Sequence, residues 1–257
     1  MANALPIAVV TGASRGIGLH IARALGRAGH RLVLVARDAA RLDATRTALD
    51  GEGLVAASLA VDLRIRGACE QAFAFARSTF GEPDVLVNNA GTAPTAKFEA
   101  TTDTMLDETL DLHVRAPLQL IRAALPAMRQ RGSGCIVQLA STAGLRAFPF
   151  TAAYTAAKHA MVGLSRALAA ELQATAIRCY AVCPGFVDTE ITRAAAAAVA
   201  ARGKTTTAAA LQRMAAQNRI GRMHEPAEVA DAVAWLVAQR PAGCTFELDR
   251  DPPAFVD

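Results

Sequence analysis

Short apolar runs alternate along the chain with longer stretches of helical periodicity. Residues 6–10 are apolar, rich in β-branched side chains and closed by a glycine cluster, the pattern of a strand buried on both faces. Residues 31–35, 54–61, 84–87, 134–139 and 177–182 read as further strands, and 245–248 as a last one. Between them lie helical stretches: one from the glycine turn to about residue 28, then 40–49, 65–80, 104–131, 154–173 and 226–237. Gly29 closes the first as a C-cap, and Pro117 bends the long central one. Regular alternation of this kind predicts an α/β fold, a doubly wound parallel sheet of about seven strands with helices on both faces. Residues 190–222 break the rhythm: an alanine-rich helix, a flexible break at 203–207 and a second helix follow one another. That segment reads as a lid over a site, or as a helical insertion with no part in substrate binding.

The first strand runs into Thr11 Gly12 Ala13 Ser14 Arg15 Gly16 Ile17 Gly18. Glycines at this place let a diphosphate reach backbone N–H groups at a helix N-terminus, because no Cβ stands in the way. The second strand ends at Ala36 Arg37, where an acidic residue would bind a ribose hydroxyl and an arginine a 2′-phosphate. Arg15 adds a second cation that can converge on the same phosphate. Two other readings stay open: a one-residue displacement would present Asp38 instead, and both arginines would also serve as solvated loop residues. Asp62 and Leu63 stand at the end of the third strand, on the edge where open α/β sheets bind ligands, and Asp62 is placed to accept from an adenine amino group. Asn88 Asn89 Ala90 Gly91 ends the fourth strand in a turn a ribose can lie against, although Asn and Gly are also ordinary turn residues.

Tyr154 and Lys158 stand four apart, one turn along one helix face. A phenol titrates near pH ~10, and a cation a few ångströms away favours its ionised form. Ser141, just past the fifth strand, would bring a hydroxyl to the same reacting oxygen. The spacing alone equally describes an aromatic at a core edge beside a solvated lysine; it acquires meaning from the glycine turn. All of these candidates fall on one edge of the predicted sheet.

At 257 residues, the chain suits one domain with a large core, 1–257, in which 190–222 forms the lid. Its net charge of +4 is spread over 27 basic and 23 acidic residues without the clustered stripe that nucleic-acid binding needs. The N-terminal residues show no basic region ahead of a long apolar segment, and no run reaches the ~18 apolar residues of a membrane span, so a cytoplasmic protein with neither nucleic acid nor membrane as partner is expected. Five cysteines, Cys69, Cys135, Cys179, Cys183 and Cys244, lack CxxC spacing and are assigned to packing rather than to disulfides or a metal.

Assembled, these motifs resemble the short-chain dehydrogenase/reductase family over nearly the whole chain: TGASRGIG at 11–18, Asp62, NNAG at 88–91, Ser141, YxxxK at 154–158 and PG at 184–185. The resemblance implies a general acid or base at Tyr154, a pKa-lowering and ribose-holding role for Lys158, and a carbonyl-orienting hydroxyl at Ser141. It implies dinucleotide contacts at Thr11, Gly12, Ser14, Arg15, Gly16, Ile17, Gly18, Arg37, Asp62, Leu63, Asn88, Ala90, Gly91, Tyr154, Lys158, Pro184, Gly185, Val187 and Thr189. The activity it implies is hydride transfer between NADP(H) and a ketone or secondary alcohol, with a 3-oxoacyl thioester as substrate from the family's commonest use. NAD-dependent alcohol oxidation and a dinucleotide sensor without turnover stay open. A homotetramer or homodimer through the two long helices is expected. Three places depart from the family pattern. His113 replaces an asparagine whose backbone carbonyl holds a relay water, Tyr180 replaces another asparagine in a packing position, and Asp249 Arg250 Asp251 stands for Asp-Gly-Gly, sending the tail on another course.

Overall fold

The computed structural model describes residues 5–203 and 205–257, so the first four residues and Lys204, in the break read above, lie outside the described set. Strands β1 (Ile7–Thr11), β2 (Arg31–Ala36), β3 (Ala56–Ala60), β4 (Val85–Asn88), β5 (Gly134–Leu139), β6 (Ile177–Cys183) and β7 (Thr245–Glu247) pair in parallel. Among the described residues the sheet has eight strands, the last of them β8 (Ala254–Phe255), in the order β3-β2-β1-β4-β5-β6-β7-β8, so chain direction across the sheet reverses between β1 and β4. Helices α1 (Gly16–Arg27), α2 (Ala39–Gly51) and α9 (Pro226–Gln239) cover one face; α3 (Ala68–Thr79) and α5 (Ala116–Arg131) cover the other. Alternate strand residues feed two cores: Val10, Leu34, Val87, Val137 and Val182 pack toward α1 and α9, while Val9, Val33, Leu86 and Ile136 pack toward α3 and α5. Burial on both faces is why these strands read as continuous apolar runs.

One expectation needs correction. The eighth strand, β8 (Ala254–Phe255), pairs antiparallel with β7. The Asp257 carboxylate accepts from the Cys244 and Thr245 N–H groups at 2.7 Å each, and Phe255 packs edge-on to Phe246. A two-residue strand is too short to show a period, so only its partners reveal it. The long central helix is bent ahead of Pro117 as expected: α4 (Asp103–Leu110) passes through a π-helical turn, Asp111–Arg115, into α5. A proline ring collides with the carbonyl four residues back, here that of His113, and a widened turn ahead of Pro117 relieves the collision.

Helix α6 (Ala152–Glu171) follows β5, and the segment after β6 folds as α7 (Glu190–Arg202) and α8 (Thr207–Gln217), capped by the Thr189 and Thr206 hydroxyls. Tyr180 is fully buried, its hydroxyl donating to the Pro241 carbonyl at 2.8 Å, as a packing residue should. All five cysteines are buried thiols. Among the described residues no helix is long and apolar enough to cross a membrane, and no three His, Cys, Asp or Glu side chains stand together as a metal-binding group.

Candidate active site

The glycine turn is built by contacts that leave no room for Cβ atoms. Gly12 has φ +65°, and a Cβ there would come within 2.8 Å of the Ala90 Cα; at Gly18 one would lie 2.3 Å from the Gly12 carbonyl oxygen. Thr11, buried at the end of β1, accepts through Oγ1 from the N–H groups of Asn89 and Ala90, and Asn89 Nδ2 donates to the Thr11 and Gly12 carbonyls. Thus the 11–18 and 88–91 turns form one body at the reversal of strand order, where sheets of this type bind ligands. Helix α1 starts there without a side-chain cap on its first N–H groups, and the space over Gly16 is open up to Thr189 Cγ2, 3.7 Å from where a Cβ would stand. An uncapped helix N-terminus over a surface without side chains fits a dinucleotide diphosphate.

Ser141, Tyr154 and Lys158 do come together. The turn Thr142–Gly144 lies directly against α6: a Cβ on Gly144 would meet the Lys158 carbonyl at 2.7 Å and Val162 Cγ2 at 2.9 Å. That contact holds Ser141 beside the first turn of α6, which carries Tyr154. The Ser141 hydroxyl accepts from the Ala143 N–H and is hydrogen-bonded to the phenol. Lys158 is buried, with Nζ donating to the Leu139 carbonyl at 2.5 Å and lying 5.6 Å from the centre of the Tyr154 ring.

Electrostatics here reverse one expectation. Burial raises the Tyr154 pKa, the Ser141 hydrogen bond opposing it, and burial pulls Lys158 down from 10.5 to about 7. In the chain by itself desolvation outweighs the attraction between ammonium and phenolate, because Lys158 sits under the ring and gives its hydrogen bond to a backbone carbonyl. The proton therefore stays on Tyr154 Oη at neutral pH, which suits a group that must donate to a carbonyl oxygen.

His113, in the π-helical turn, is fully buried with its ring edge-on to Tyr154 at 5.7 Å between centroids. Its Nε2 meets both the Thr92 carbonyl, at 2.9 Å, and the Thr92 N–H, at 3.1 Å, while Nδ1 has no partner within the chain. Gly91 is required opposite it, since a Cβ there would stand 2.5 Å from the imidazole Cε1. Desolvation, with the Lys158 charge second, holds His113 well below 6.5, so the ring is neutral in the fold. The unfolded chain takes up a proton near pH ~6.5 that the fold refuses, so stability falls as pH drops below that value. We expect His113→Asn to flatten the loss of melting temperature between pH 7.5 and 5.5, the group being worth up to ~1.4 kcal/mol per pH unit; an unchanged slope would show that His113 protonates in the folded protein.

Several residues predicted as contacts also have structural roles within the chain. Leu63 is buried in the core, and the Asn88 side chain, also buried, lies on the sheet face that carries Leu86, toward α3 and α5. Ala90 acts through its N–H to Thr11, Ser14 through its carbonyl to Thr45, and Ile17 packs on the α1 face of the sheet. Val187 is buried and bridges to His224. The Pro184 carbonyl accepts from Thr142 N–H, and Gly185 leaves space for Asn218 Oδ1, which a Cβ would meet at 2.3 Å. Asp62 is forked by Arg64 at 2.7 and 3.1 Å, and Arg64 holds its carboxyl below the usual range. Arg15 and Arg37 do not converge on each other: Arg37 approaches Asp62 at 4.0 Å, while Arg15 pairs with Glu190. Asp38 caps α2 by accepting from the Arg41 N–H at 3.1 Å.

Sequence reasoning also missed residues that only long-range contacts expose. Asp249, fully buried, accepts from the Arg219 N–H at 3.0 Å and from Arg146 Nη2 at 3.1 Å, with His224 Nε2 at 3.4 Å. It fastens the end of β7 to the segment after α8 and to the loop that follows Ser141. Arg41 and Glu190 form a second such join, between α2 and α7.

A profile of the family described as short chain dehydrogenase matches residues 6–200. The protein of Streptomyces virginiae named for ketoacyl reduction in the monensin polyketide synthase is 38% identical over 244 residues, covering 94% of this chain and 93% of the relative. An actinorhodin polyketide ketoreductase variant crystallised with NADPH superposes with a TM-score of 0.91 at 34% identity, covering 96% of this chain and 97% of that one. The L-sorbose reductase of Gluconobacter frateurii, solved with NADPH and L-sorbose, gives 0.87 at 30% identity, with 95% of each chain covered.

Proposed function

Because the chain belongs to the short-chain dehydrogenase family and is an NAD(P)-dependent oxidoreductase acting between CH–OH and C=O, we propose that it uses NADPH to reduce the ketone of a 3-oxoacyl thioester. The observation that carries the reading is the gathering of Ser141, the Tyr154 phenol and buried Lys158 at the C-terminal end of β5, on the same sheet edge as the glycine turn at the end of β1. The bound dinucleotide supplies the hydride. Ser141 orients the substrate carbonyl, Tyr154 Oη gives its proton to the carbonyl oxygen as negative charge develops there, and Lys158 meets the resulting phenolate with positive charge. Glycines 12, 16 and 18 and the N-terminus of α1 would hold the diphosphate, the 88–91 turn and Lys158 the riboses, and Thr189, across from Gly16, would also contact the cofactor. Residues 190–222 close over the substrate, fastened through Asp249 and Asn218.

Support for NADPH comes from the end of β2, where Arg37 is two-thirds exposed and Arg15 and Arg41 lie close by, while the carboxylate of Asp38 is engaged as a cap. Charge-assisted contacts of this kind are worth ~1.5 to 3 kcal/mol each, so NADPH should bind roughly tenfold or more tightly than NADH. Arg37→Asp should reverse the order; equal dissociation constants in the parent would refute the assignment. A steady-state panel containing a 3-oxoacyl thioester, simple ketones and secondary alcohols tests the activity, and no turnover on any member would favour the dinucleotide-sensor reading.

A homodimer or homotetramer in the cytoplasm completes the proposal. On the outer side of α6, Ala156, Gly163 and Ala167 are exposed, and nothing would obstruct a Cβ at Gly163, a smooth face suited to close helix packing. Sedimentation at micromolar concentration should give a dimer or larger; a monomer would contradict it.

A further inference from the structure

Glu190 is the first residue of α7, just after the Thr189 that caps the helix. Its Oε2 is held by two guanidinium groups from distant parts of the chain: Arg15 Nη1, in the glycine turn, and Arg41 Nη1, at 3.0 Å from the first turn of α2. Arg15, Arg41 and Glu190 side chains are 46%, 52% and 57% exposed, so the cluster is open to an incoming anion. Both arginines hold the Glu190 carboxyl below its usual range, and it is ionised at neutral pH. One cation of the glycine turn and one of the first turn of α2 thus already share one carboxylate.

We propose that Glu190 is a built-in competitor for the 2′-phosphate of NADPH, and that the Arg15–Arg41 pair it occupies is part of that phosphate's site. The inference rests on the cofactor reading above. A phosphate monoester carries ~1.5 to 2 negative charges and three acceptor oxygens, against one charge on a carboxylate, and it displaces Glu190 from the same guanidinium groups. The ribose hydroxyl of NADH is neutral and leaves the Glu190 pairs intact. Glu190 therefore weakens NADPH binding selectively, and it makes the seating of the phosphate release the start of α7 from the glycine turn. Arg41 becomes a specificity-determining residue that the end of β2 does not reveal in sequence.

The test is direct binding of NADPH and NADH to the full chain by calorimetry, with Glu190→Gln and Arg41→Ala. Glu190→Gln should tighten NADPH about threefold to fivefold, the size that exposed ion pairs allow, and leave NADH within about twofold. Arg41→Ala should loosen NADPH by at least about threefold, leave NADH unchanged, and shrink the gain from Glu190→Gln when the two are combined. A Glu190→Gln protein whose affinities for both dinucleotides change alike, or not at all, would overturn the proposal, its melting temperature showing that the fold is intact. The parent protein judges the cofactor reading separately. If it prefers NADPH and Glu190→Gln leaves the ratio of dissociation constants untouched, the competitor falls and the reading stands; if it shows no preference for NADPH while Glu190→Gln tightens NADPH alone, the competitor stands and the reading falls.

Discussion

Tyr154→Phe should lower kcat by about 10² to 10⁴, the usual contribution of a general acid, while NADPH affinity stays within a few-fold. The substitution keeps the ring that packs edge-on against His113 and over Lys158, so the site retains its shape. What it removes is the only proton that this arrangement holds against the carbonyl oxygen: Ser141 is engaged with the Ala143 N–H and the phenol, and His113 is neutral with its Nε2 engaged by Thr92. Steady-state rates on any good ketone substrate, beside dinucleotide binding by fluorescence, provide the check. Turnover at the parental rate would mean that the proton comes from elsewhere and that the active site has been misplaced.

Lys158→Met should do two opposed things, destroying activity while stabilising the free protein near neutral pH. Lys158 is 4% exposed and its pKa falls from 10.5 to about 7, so the fold binds this proton less tightly than the unfolded chain does. Each tenfold loss of proton affinity corresponds to ~1.4 kcal/mol. The sign follows: below about pH 7 both states are protonated and the whole cost of burying the ammonium is present; between about 7 and 10.5 only the unfolded chain holds the proton, and stability rises with pH. Methionine fills a similar volume without charge, but it leaves the Leu139 carbonyl unpaired, which costs ~1 to 3 kcal/mol. The net gain at pH 7 is on the order of 1 to 3 kcal/mol, or roughly 3 to 10 °C in melting temperature for a chain of this size. That gain should shrink as pH approaches 10. Activity and NADPH affinity should fall together, because the charge that meets the phenolate and the ribose contact go at once. A variant that melts lower than the parent at pH 7 would show that Lys158 stabilises the fold rather than being stored in it at a cost.

Stability held back at Lys158 and His113 marks the site as surely as the motif does. Two buried titratable groups within reach of one phenol are each pushed toward neutrality by desolvation. Such positions are kept for chemistry, since an apolar residue would serve the core better. The neutral His113 ring, bonded through one nitrogen, places an uncharged polar group beside Tyr154.

Local pattern by itself determined the α/β alternation, seven of the strands to within two residues at either end, the glycine turn, and the edge on which Ser141, Tyr154 and Lys158 gather. All of these depend on short-range periodicity or on residue types whose backbone demands are local, as with Gly12 at positive φ. Tertiary structure alone decided the direction of the Tyr154 pKa, because burial is a property of everything packed around the ring and spacing reports only the nearby lysine. It also decided that Arg15 pairs with a residue 175 positions away, that Asp249 ties three segments together, that the Asn88 and Leu63 side chains turn into the interior, and that the tail returns as an eighth strand. Contacts between residues so far apart leave no period in the chain, since each partner satisfies its own local rules whether or not the other is there.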